Sequence, residues 1–415
     1  MKNVWGRFSL VLLLSSLFLS CTANYKPVVP GLNVLLGERL NLIYGKRVGI
    51  ITNQTAITRN GTSIVDTLTA IPGVKVTALF GPEHGIRGDR SAGAYVESYV
   101  DSVTGITVYS LYGKTRKPTP AMLDSVDVLL FDIQDIGARF YTYISTMGLA
   151  MEAAAEKGIP FIVLDRPNPI TGDIVEGPIL EPELKSFVGM YPIPIRHGLT
   201  IGELARMING EGWLANGIQA ELTVVPMKHW RRPMWFDQTG LKWIKTSPNM
   251  PDLTTAILYP GMCLTEATNV SEGRGTEAPF RQMGAPWING DSLKTVLSGF
   301  HSLGVLFSAT EFTPEPIPGM APHPKYENEL CSGLSFKLVN RNIFRSVSFG
   351  VELLSALHKL YPDKLTFKKG FDRLAGTPKL REQILRNVPP KEIVNHWTKS
   401  LTEFKRKREK YLLYR

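Results

Sequence analysis

Apolar runs of strand length alternate with helix-like patterns between about residues 45 and 230. The runs that predict strands lie at residues 47–52, 74–80, 126–131, 160–164 and 222–225. Between them, apolar residues at helical spacing predict helices at residues 63–70, 140–157 and 201–210. Alternation of this kind indicates parallel strands joined by crossover helices. The pattern therefore predicts an α/β fold with a doubly wound parallel sheet.

The pattern changes after residues 230–251, a stretch rich in Trp, Pro and Lys. Beyond it we expect loops at about 260–290, short strands at 305–309 and 334–339, and helices near 351–361 and 392–414. A chain of 415 residues is also too long for one ordinary core. We therefore expect two domains, one over residues 22–240 and a smaller α+β domain over residues 241–415.

The first twenty residues differ from the rest of the chain. Lys2 and Arg7 precede an apolar segment that ends at Ser20-Cys21. A basic start followed by an apolar core of about a dozen residues is typical of a secretory signal. Because a small residue precedes Cys21, residues 1–21 also resemble a bacterial lipobox. We expect an exported protein of the cell envelope with lipid on Cys21, either in the outer membrane or in the periplasm. Plain secretion with an incidental cysteine is the alternative.

The charge of the chain bears on its partners. Lys and Arg number 47 against 37 Asp and Glu, which gives a net charge of +10. On an exported protein this charge suits an anionic envelope polymer better than nucleic acid, although a solvated helix face explains the basic tail at 405–410 more simply. Two further cysteines, Cys263 and Cys331, leave a disulfide open.

Polar residues follow most of the predicted strands, at 53–55, 81–84, 132–135 and 165–168. Ligands of open α/β sheets bind outside the carboxyl ends of the strands, so these stretches predict one crevice. None of them is followed by a GxGxxG or P-loop pattern. We therefore expect neither a nucleotide nor another cofactor.

The stretch GPEHGIRG at 81–88 contains the strongest candidate for chemistry. Glu83 lies between Pro82 and His84 at the mouth of the predicted crevice, where partial burial favours a general acid. His84 serves equally well as a hydrogen-bonding partner of a neighbouring loop, and Arg87 as a partner of Asp89.

Two aspartates follow the strand at 126–131. Asp132 continues the strand and is expected to point toward the crevice, whereas Asp135 is expected to cap a helix that begins near Ala138. A metal site made of Glu83, His84, Asp132 and His197 is a weaker interpretation, because no HExxH or similar ligand spacing supports it.

The second domain contributes a Gly-rich loop at 264–280. Glycines on both sides of Arg274 permit a backbone that presents its guanidinium forward, which suits a carboxylate ligand. An ordinary turn with salt bridges is the alternative. The other polar residues that crowd this loop are Glu266, Asn269, Glu272 and Thr276.

Several long motifs together resemble the exo-β-N-acetylmuramidase family, over about residue 37 to the C-terminus. They are GPEHGIRG, DIQDIGARFYTYISTM, LDRPNPITG, VEGPIL, IRHGLTIGELA, TSPNMP and ATNVSEGRGTEAPF. The resemblance implies a Rossmann-like domain, a smaller barrel-like domain and an active site in the cleft between them. It also implies release of N-acetylmuramic acid from the non-reducing end of peptidoglycan fragments. The chain departs from the family pattern at Gln54 and Ala56.

The resemblance also implies roles for individual residues. Glu83 matches the favoured catalytic acid, and the candidates for a second catalytic group are Asp132, Glu272 and Glu266. Muramic acid carries a lactyl carboxylate, for which Arg274 is the first candidate ligand and Arg139 the second. The further residues expected to bind substrate are His84, Arg87, Gln134, His197, Asn249 and Asn269.

Two other functions remain open at this point. A non-catalytic lipoprotein that binds muropeptides in a two-lobed cleft would share the signal, the fold and the charge. A metal-dependent hydrolase that uses His84 and His197 would lose its activity in a chelator.

Overall fold

The computed structural model describes residues 26–87, 97–300 and 302–415. The predicted signal peptide and Cys21 lie outside them. The strands of the first half are β1 (Arg47–Thr52), β2 (Lys75–Gly81), β3 (Tyr99–Val100), β4 (Thr107–Ser110), β5 (Val128–Asp132), β6 (Phe161–Leu164), β7 (Glu176–Ile179), β8 (Pro194–Arg196) and β9 (Leu222–Val225). Seven of them form one sheet in the order β3-β4-β2-β1-β5-β6-β9, and β7 pairs with β8 separately. All neighbours in the large sheet are parallel except β3 and β4.

Helices cover both faces of the large sheet. They are α1 (Gly31–Glu38), α2 (Ile64–Thr69), α3 (Tyr143–Lys157) and α4 (Ile201–Gly210). Val128 and Leu130 of β5 share an apolar cluster with α1 and α2. Leu129 and Phe131 point to the opposite face and share a cluster with α3 and α4. The predicted doubly wound parallel sheet is therefore confirmed.

The start of each helix on the second face has a local cause. Helix α4 begins where it was predicted, because Thr200 and Glu203 form a capping box, with hydrogen bonds of 3.2 and 3.0 Å. Helix α3 begins at Tyr143, three residues later than predicted. Residues 139–142 before it form turns, and they are anchored to β8 because the Arg139 N–H donates to the Ile195 carbonyl over 2.8 Å.

Asp135 differs from its predicted role as a helix cap. Its Oδ2 accepts a 2.6 Å hydrogen bond from the Gly137 N–H, and no helix follows directly. The carboxylate thus closes a turn that carries the chain from β5 toward β8.

The second half is built on an antiparallel sheet in the order β10-β12-β11. Its strands are β10 (Gln282–Ala285), β11 (Val305–Phe312) and β12 (Cys331–Leu338), and the helices around them are α5 (Leu253–Met262), α6 (Gly290–Ser298) and α7 (Ser346–Leu360). This three-stranded sheet is open and does not close into the expected barrel within the described residues. Helix α5 and strand β10 also occupy parts of the stretch that was expected to be loops.

The predicted helix at 392–414 is divided into shorter pieces. The helices after α7 are α8 (Phe371–Ala375), α9 (Lys379–Leu385), α10 (Pro390–Asn395) and α11 (Thr398–Arg408). Beyond α11 the chain returns to the first half, where the Tyr414 hydroxyl donates to Asp165 over 2.5 Å and the Leu413 N–H donates to Glu203 over 2.9 Å.

The apolar core joins both halves. One cluster of buried side chains contains Phe131 and Met147 of the first half together with Leu258 and Phe349 of the second. The two halves therefore bury their apolar surfaces against each other. In the part of the chain that the structure describes, no helix combines the length and the apolar character needed to cross a membrane.

Candidate active site

The turn after β2 places Glu83 at the carboxyl edge of the large sheet. The Gly85 N–H donates to the Pro82 carbonyl over 3.0 Å, which closes the turn. His84 has a φ of 73°, in the left-handed region that residues with a Cβ rarely adopt. Unfavourable backbone geometry of this kind persists only where the surrounding structure enforces it, and it is common at functional sites.

Two hydroxyl groups hold the Glu83 carboxylate. Thr142, directly before α3, donates from Oγ1 to Glu83 Oε2 over 2.8 Å. Burial raises the pKa of Tyr112 to about 12, and the charge of Glu83 and its hydrogen bond with the Tyr112 hydroxyl add to this rise. Glu83 is therefore fixed from both sides by groups that keep their protons at neutral pH.

Glu83 and Arg274 line the same narrow cleft, although they come from different halves of the chain. The cleft has a volume of about 70 Å³. Its other walls are mainly aromatic and hydroxyl side chains: His84, Phe140, Tyr141, Thr142, Tyr143, Ser247, Met250, Tyr259 and Phe280. The lining thus combines a carboxylate and a guanidinium with apolar and hydroxyl surfaces.

The tyrosines of the cleft are fixed by hydrogen bonds. Tyr141 donates to Thr246 Oγ1 and Tyr143 to the Thr246 carbonyl, each over 2.6 Å. Burial raises the pKa of Tyr141 and Tyr143 above the usual value, so both stay neutral. Tyr259 packs edge-on against Phe280, with ring centroids 4.8 Å apart.

Arg274 is presented by its loop as the sequence predicted. The flanking Gly273 and Gly275 both have left-handed backbones, with φ of 79° and 80°. Its Nη2 lies 2.5 Å from Glu266 Oε1 and its Nε 3.3 Å from Glu272 Oε1. Burial opposes the guanidinium charge, but these two carboxylates outweigh it and raise the pKa of Arg274. Arg274 still exposes 24% of its side chain, so it can meet a ligand.

Glu272 and Glu266 support Arg274 and do not line the cleft. Glu272 is buried and also accepts a 2.8 Å hydrogen bond from Lys325 Nζ. Lys325 in turn donates to the carbonyls of Thr265 and Val270. These hydrogen bonds hold the loop at 264–280 together.

Asp132 does not point into the crevice, which corrects the prediction from strand direction. It is fully buried and binds Arg166 through both carboxylate oxygens, with 2.9 Å between Oδ2 and Arg166 Nη2. Burial raises the pKa of Asp132, and Arg166 opposes that rise. Asp132 is thus half of an ion pair beneath the carboxyl edge of the sheet.

Arg139 is also a structural residue, which corrects its prediction as a carboxylate ligand. Its two terminal nitrogens donate to four backbone carbonyls, those of Pro178, Ile193, Leu374 and Ala375, over 2.7 to 2.9 Å. Burial without a carboxylate partner lowers the pKa of Arg139 to about 9.

Arg87 pairs with Asp101 at 3.1 Å, and Asp89, its expected partner, lies outside the described residues. Arg87 does not line the cleft that contains Glu83.

Four other predicted ligands make hydrogen bonds within the protein. Gln134 donates to the Pro167 carbonyl and Asn249 to the Met320 carbonyl, each over 2.7 Å. Asn269 donates to the Lys364 carbonyl and accepts from the Thr366 N–H, so it joins two loops. His197 is buried and accepts from the Leu199 N–H. These side chains hold loops in place.

Neither cysteine of the pair considered above forms a disulfide, since Cys263 and Cys331 are both free and buried. Among the described residues, no group of three or more His, Cys, Asp or Glu side chains could hold a metal ion.

Sequence reasoning missed the hydroxyl partners of Glu83. Thr142 lies in the motif DIQDIGARFYTYISTM, where Tyr141-Thr142-Tyr143 spans the start of α3. Three consecutive side chains with hydroxyl groups at the start of a largely buried helix are a usable signal. Tyr112 lies in no such pattern.

The chain matches known proteins over most of its length. Residues 48–254 match the family model described as exo-beta-N-acetylmuramidase NamZ, N-terminal, and residues 257–414 match the corresponding C-terminal model. The peptidoglycan beta-N-acetylmuramidase NamZ of Bacillus subtilis (strain 168) is 49% identical over 395 residues, which are 95% of this chain and 93% of that protein.

Two crystal structures of DUF1343 family proteins from Bacteroides fragilis have the same fold. One is 40% identical with a TM-score of 0.86, and the other is 34% identical with a TM-score of 0.78. Each comparison covers 94% of this chain and 99% of the other. The family models and the Bacillus relative together show that the chain belongs to the NamZ family of exo-β-N-acetylmuramidases.

Proposed function

We propose that this protein is an exo-acting glycosidase that releases N-acetylmuramic acid from the non-reducing end of peptidoglycan fragments. The observation that carries the proposal is the meeting of Glu83 and Arg274 in one cleft. One group suits protonation of a glycosidic oxygen and the other suits the lactyl carboxylate that distinguishes muramic acid from glucosamine. The Bacillus relative, a peptidoglycan beta-N-acetylmuramidase, supports the same substrate class.

Glu83 acts in this mechanism as the general acid. A glycosidic oxygen is a poor leaving group, so its protonation in the transition state accelerates cleavage. Thr142 and Tyr112 hold the Glu83 carboxyl group and limit its rotation. Arg274, which the second half of the chain brings to the same cleft, fixes the sugar by its carboxylate, so that the bond to be cut lies beside Glu83.

The test is an assay of the purified protein on the disaccharide in which N-acetylmuramic acid is linked to N-acetylglucosamine. We expect release of free N-acetylmuramic acid, and we expect Glu83→Gln to cleave at least about a hundredfold more slowly while it still binds the disaccharide. A glycoside with an activated aryl leaving group needs less protonation and should recover part of the rate. Cleavage by Glu83→Gln within a few-fold of wild type would place the acid elsewhere.

The same assay separates the two other functions. A non-catalytic binding protein would bind the disaccharide without releasing a product. A metal-dependent hydrolase would lose its activity after treatment with EDTA, whereas we expect the glycosidase to retain it.

We further propose that the protein is exported and that lipid on Cys21 anchors it to the outer membrane. The support is the basic start, the apolar segment and the small residue before Cys21 in the sequence. Fractionation of cells that express Cys21→Ala provides the measurement, because the variant should leave the membrane fraction. If it stays with membranes as firmly as wild type, the lipid anchor is refuted.

A further inference from the structure

A second, larger cavity lies at the same edge of the sheet as the Glu83 cleft. It has a volume of about 560 Å³ and is lined by residues that follow β1, β5 and β6, among them Thr55, Gln134 and Arg166. The strand order reverses between β1 and β5, because β2 lies on one side of β1 and β5 on the other. The crevice at such a reversal is the usual ligand site of open α/β sheets. The Glu83 cleft does not occupy this crevice.

The lining of this second cavity is basic. Arg59 and Lys242 are exposed, and neither side chain makes an ion pair or hydrogen bond to any residue that the structure describes. Arg166 is 5% exposed and uses Nε and Nη2 to bind Asp132 and the Ile57 carbonyl. Its Nη1 makes no hydrogen bond in the same described region. Among the described residues, no Asp or Glu lines the cavity, so the field of the residues that do line it favours an anion.

A third cavity borders both the basic cavity and the Glu83 cleft. Its volume is about 510 Å³; it shares Ile244 with the basic cavity and Ser247 with the cleft. Trp243 and Gln54 line it, and Gln54 Oε1 is a buried acceptor without a hydrogen-bond partner in the described structure. Residues 240–248 therefore form one wall of three successive cavities. Such a row suits a polymer better than a single sugar.

We infer that this row binds the leaving part of a longer glycan strand and that the basic cavity takes a second lactyl carboxylate. The inference rests on the proposed function. Peptidoglycan alternates N-acetylmuramic acid with N-acetylglucosamine, so the first leaving sugar is uncharged and the second carries a carboxylate. The uncharged sugar, with its amide, fits Trp243 and Gln54. The next sugar brings its carboxylate to Arg59 and Lys242, with the exposed Lys245 along the same wall.

The experiment compares kcat/KM for the disaccharide with that for the tetrasaccharide made of two such disaccharides, using initial rates. We expect wild type to prefer the tetrasaccharide about tenfold, mainly through a lower KM, because a charge-assisted contact adds enough binding free energy for such a preference. The double variant Arg59→Ala/Lys242→Ala should reduce this preference to about twofold or less. The matched control is Lys75→Ala, since Lys75 is exposed at the opposite edge of the sheet, where β2 begins. This control should keep the full preference.

Two modified tetrasaccharides identify the group that is bound. Amidation of the inner lactyl carboxylate should remove the preference, and retention of the preference after amidation would overturn the inference. A tetrasaccharide whose inner lactyl group carries a stem peptide tests the other source of carboxylates. A higher kcat/KM for this substrate than for the peptide-free one, lost in the double variant, would assign the cavity to the peptide and overturn the inference.

The outcomes also separate this inference from the proposed function. If wild type fails to cleave the disaccharide, the proposed function itself fails. If it cleaves the disaccharide and the tetrasaccharide equally well, only the extended site is refuted.

Discussion

Arg274 is the residue in which sequence, geometry and proposed chemistry agree most closely. Two carboxylates hold its Nη2 and Nε, and Phe280 lies beneath the guanidinium, 5.1 Å from ring centroid to Cζ. A guanidinium held in this way keeps its Nη1 edge, which donates to no residue that the structure describes, for an in-plane partner such as a carboxylate. Because the side chain is already fixed, it loses less conformational entropy when a ligand binds.

We predict that Arg274→Lys lowers kcat/KM on muramic acid glycosides by about 10- to 100-fold, because Lys keeps the charge but loses the bidentate contact. An N-acetylglucosamine glycoside lacks the lactyl group and serves as the control substrate, on which we expect little change. Equal losses on both substrates would show that Arg274 does not read the lactyl carboxylate.

At this scale, sequence reasoning succeeded where the local chain determines the side chain's position. Glycines beside Arg274 and the proline before Glu83 are visible in the sequence, and both residues reach the cleft as predicted. It failed for Arg139, whose carbonyl partners include Leu374 and Ala375, 235 and 236 residues away. It failed for Asp132 because the partner of this carboxylate, Arg166, follows a different strand, β6. Partners so distant in sequence leave no local pattern.

Among the helices, α5 and α7 make a contact that depends on two small residues. A Cβ added at Gly261 would lie 1.9 Å from the Ser346 carbonyl oxygen, and one at Gly350 would lie 2.6 Å from the Gly261 carbonyl oxygen. The backbones therefore touch, and Ser346 Oγ accepts a 2.9 Å hydrogen bond from the Gly261 N–H. Because α5 leads directly into the Arg274 loop, this contact sets the position of one wall of the cleft.

We predict that Gly261→Ala destabilises the protein by about 1–3 kcal/mol, since the two helices must move apart to admit the methyl group. The control is Gly37→Ala near the end of α1, where an added Cβ meets no atom within 4 Å. That substitution should be neutral or stabilise by up to about 1 kcal/mol. Thermal unfolding of both variants tests the pair, and equal melting temperatures would contradict the proposed contact.

The apolar patterns predicted which helices and strands exist better than they predicted where each begins and ends. The apolar periods predicted α4 and strands β1 and β9 at their observed residues. They missed α5, which contains Pro260 in its last turn, because Pro and Gly in sequence favour a loop. Tertiary packing against α7 overrides that preference.

The whole molecule is closed by the segment after α11. Asp165 is fully buried at the end of β6 and accepts hydrogen bonds from Tyr414, from Thr200 and from the Gly202 N–H. Burial raises the pKa of Asp165 from 3.8 to about 7, the charge of Glu203 adds to the rise, and the hydrogen bonds moderate it. The protonated form is therefore the one that the folded protein favours below neutral pH.

We predict a pH dependence of stability that traces to this residue. A carboxyl whose pKa is higher in the folded than in the unfolded state stabilises the fold fully below the unfolded pKa of about 4, and this contribution is lost as the pH rises through about 7. Wild type should thus lose more unfolding free energy between pH 4 and 8 than Asp165→Asn. Chemical denaturation across this range provides the measurement. The control is Asp363→Asn, an exposed position that should follow wild type; identical curves for all three proteins would contradict the prediction.

The return of residues 413 and 414 to the first half has a consequence for the order in which the protein is made. Asp165 and Glu203 precede Tyr414 and Leu413 by more than 200 residues in the chain. The ribosome must therefore add all of these residues before either carboxylate acquires its last hydrogen-bond donor. Until then the α/β half holds two carboxylates with incomplete hydrogen bonding, which is costly in a dry interior. The first half therefore cannot reach its final stability ahead of the second during synthesis, and folding is completed only when the whole chain is available.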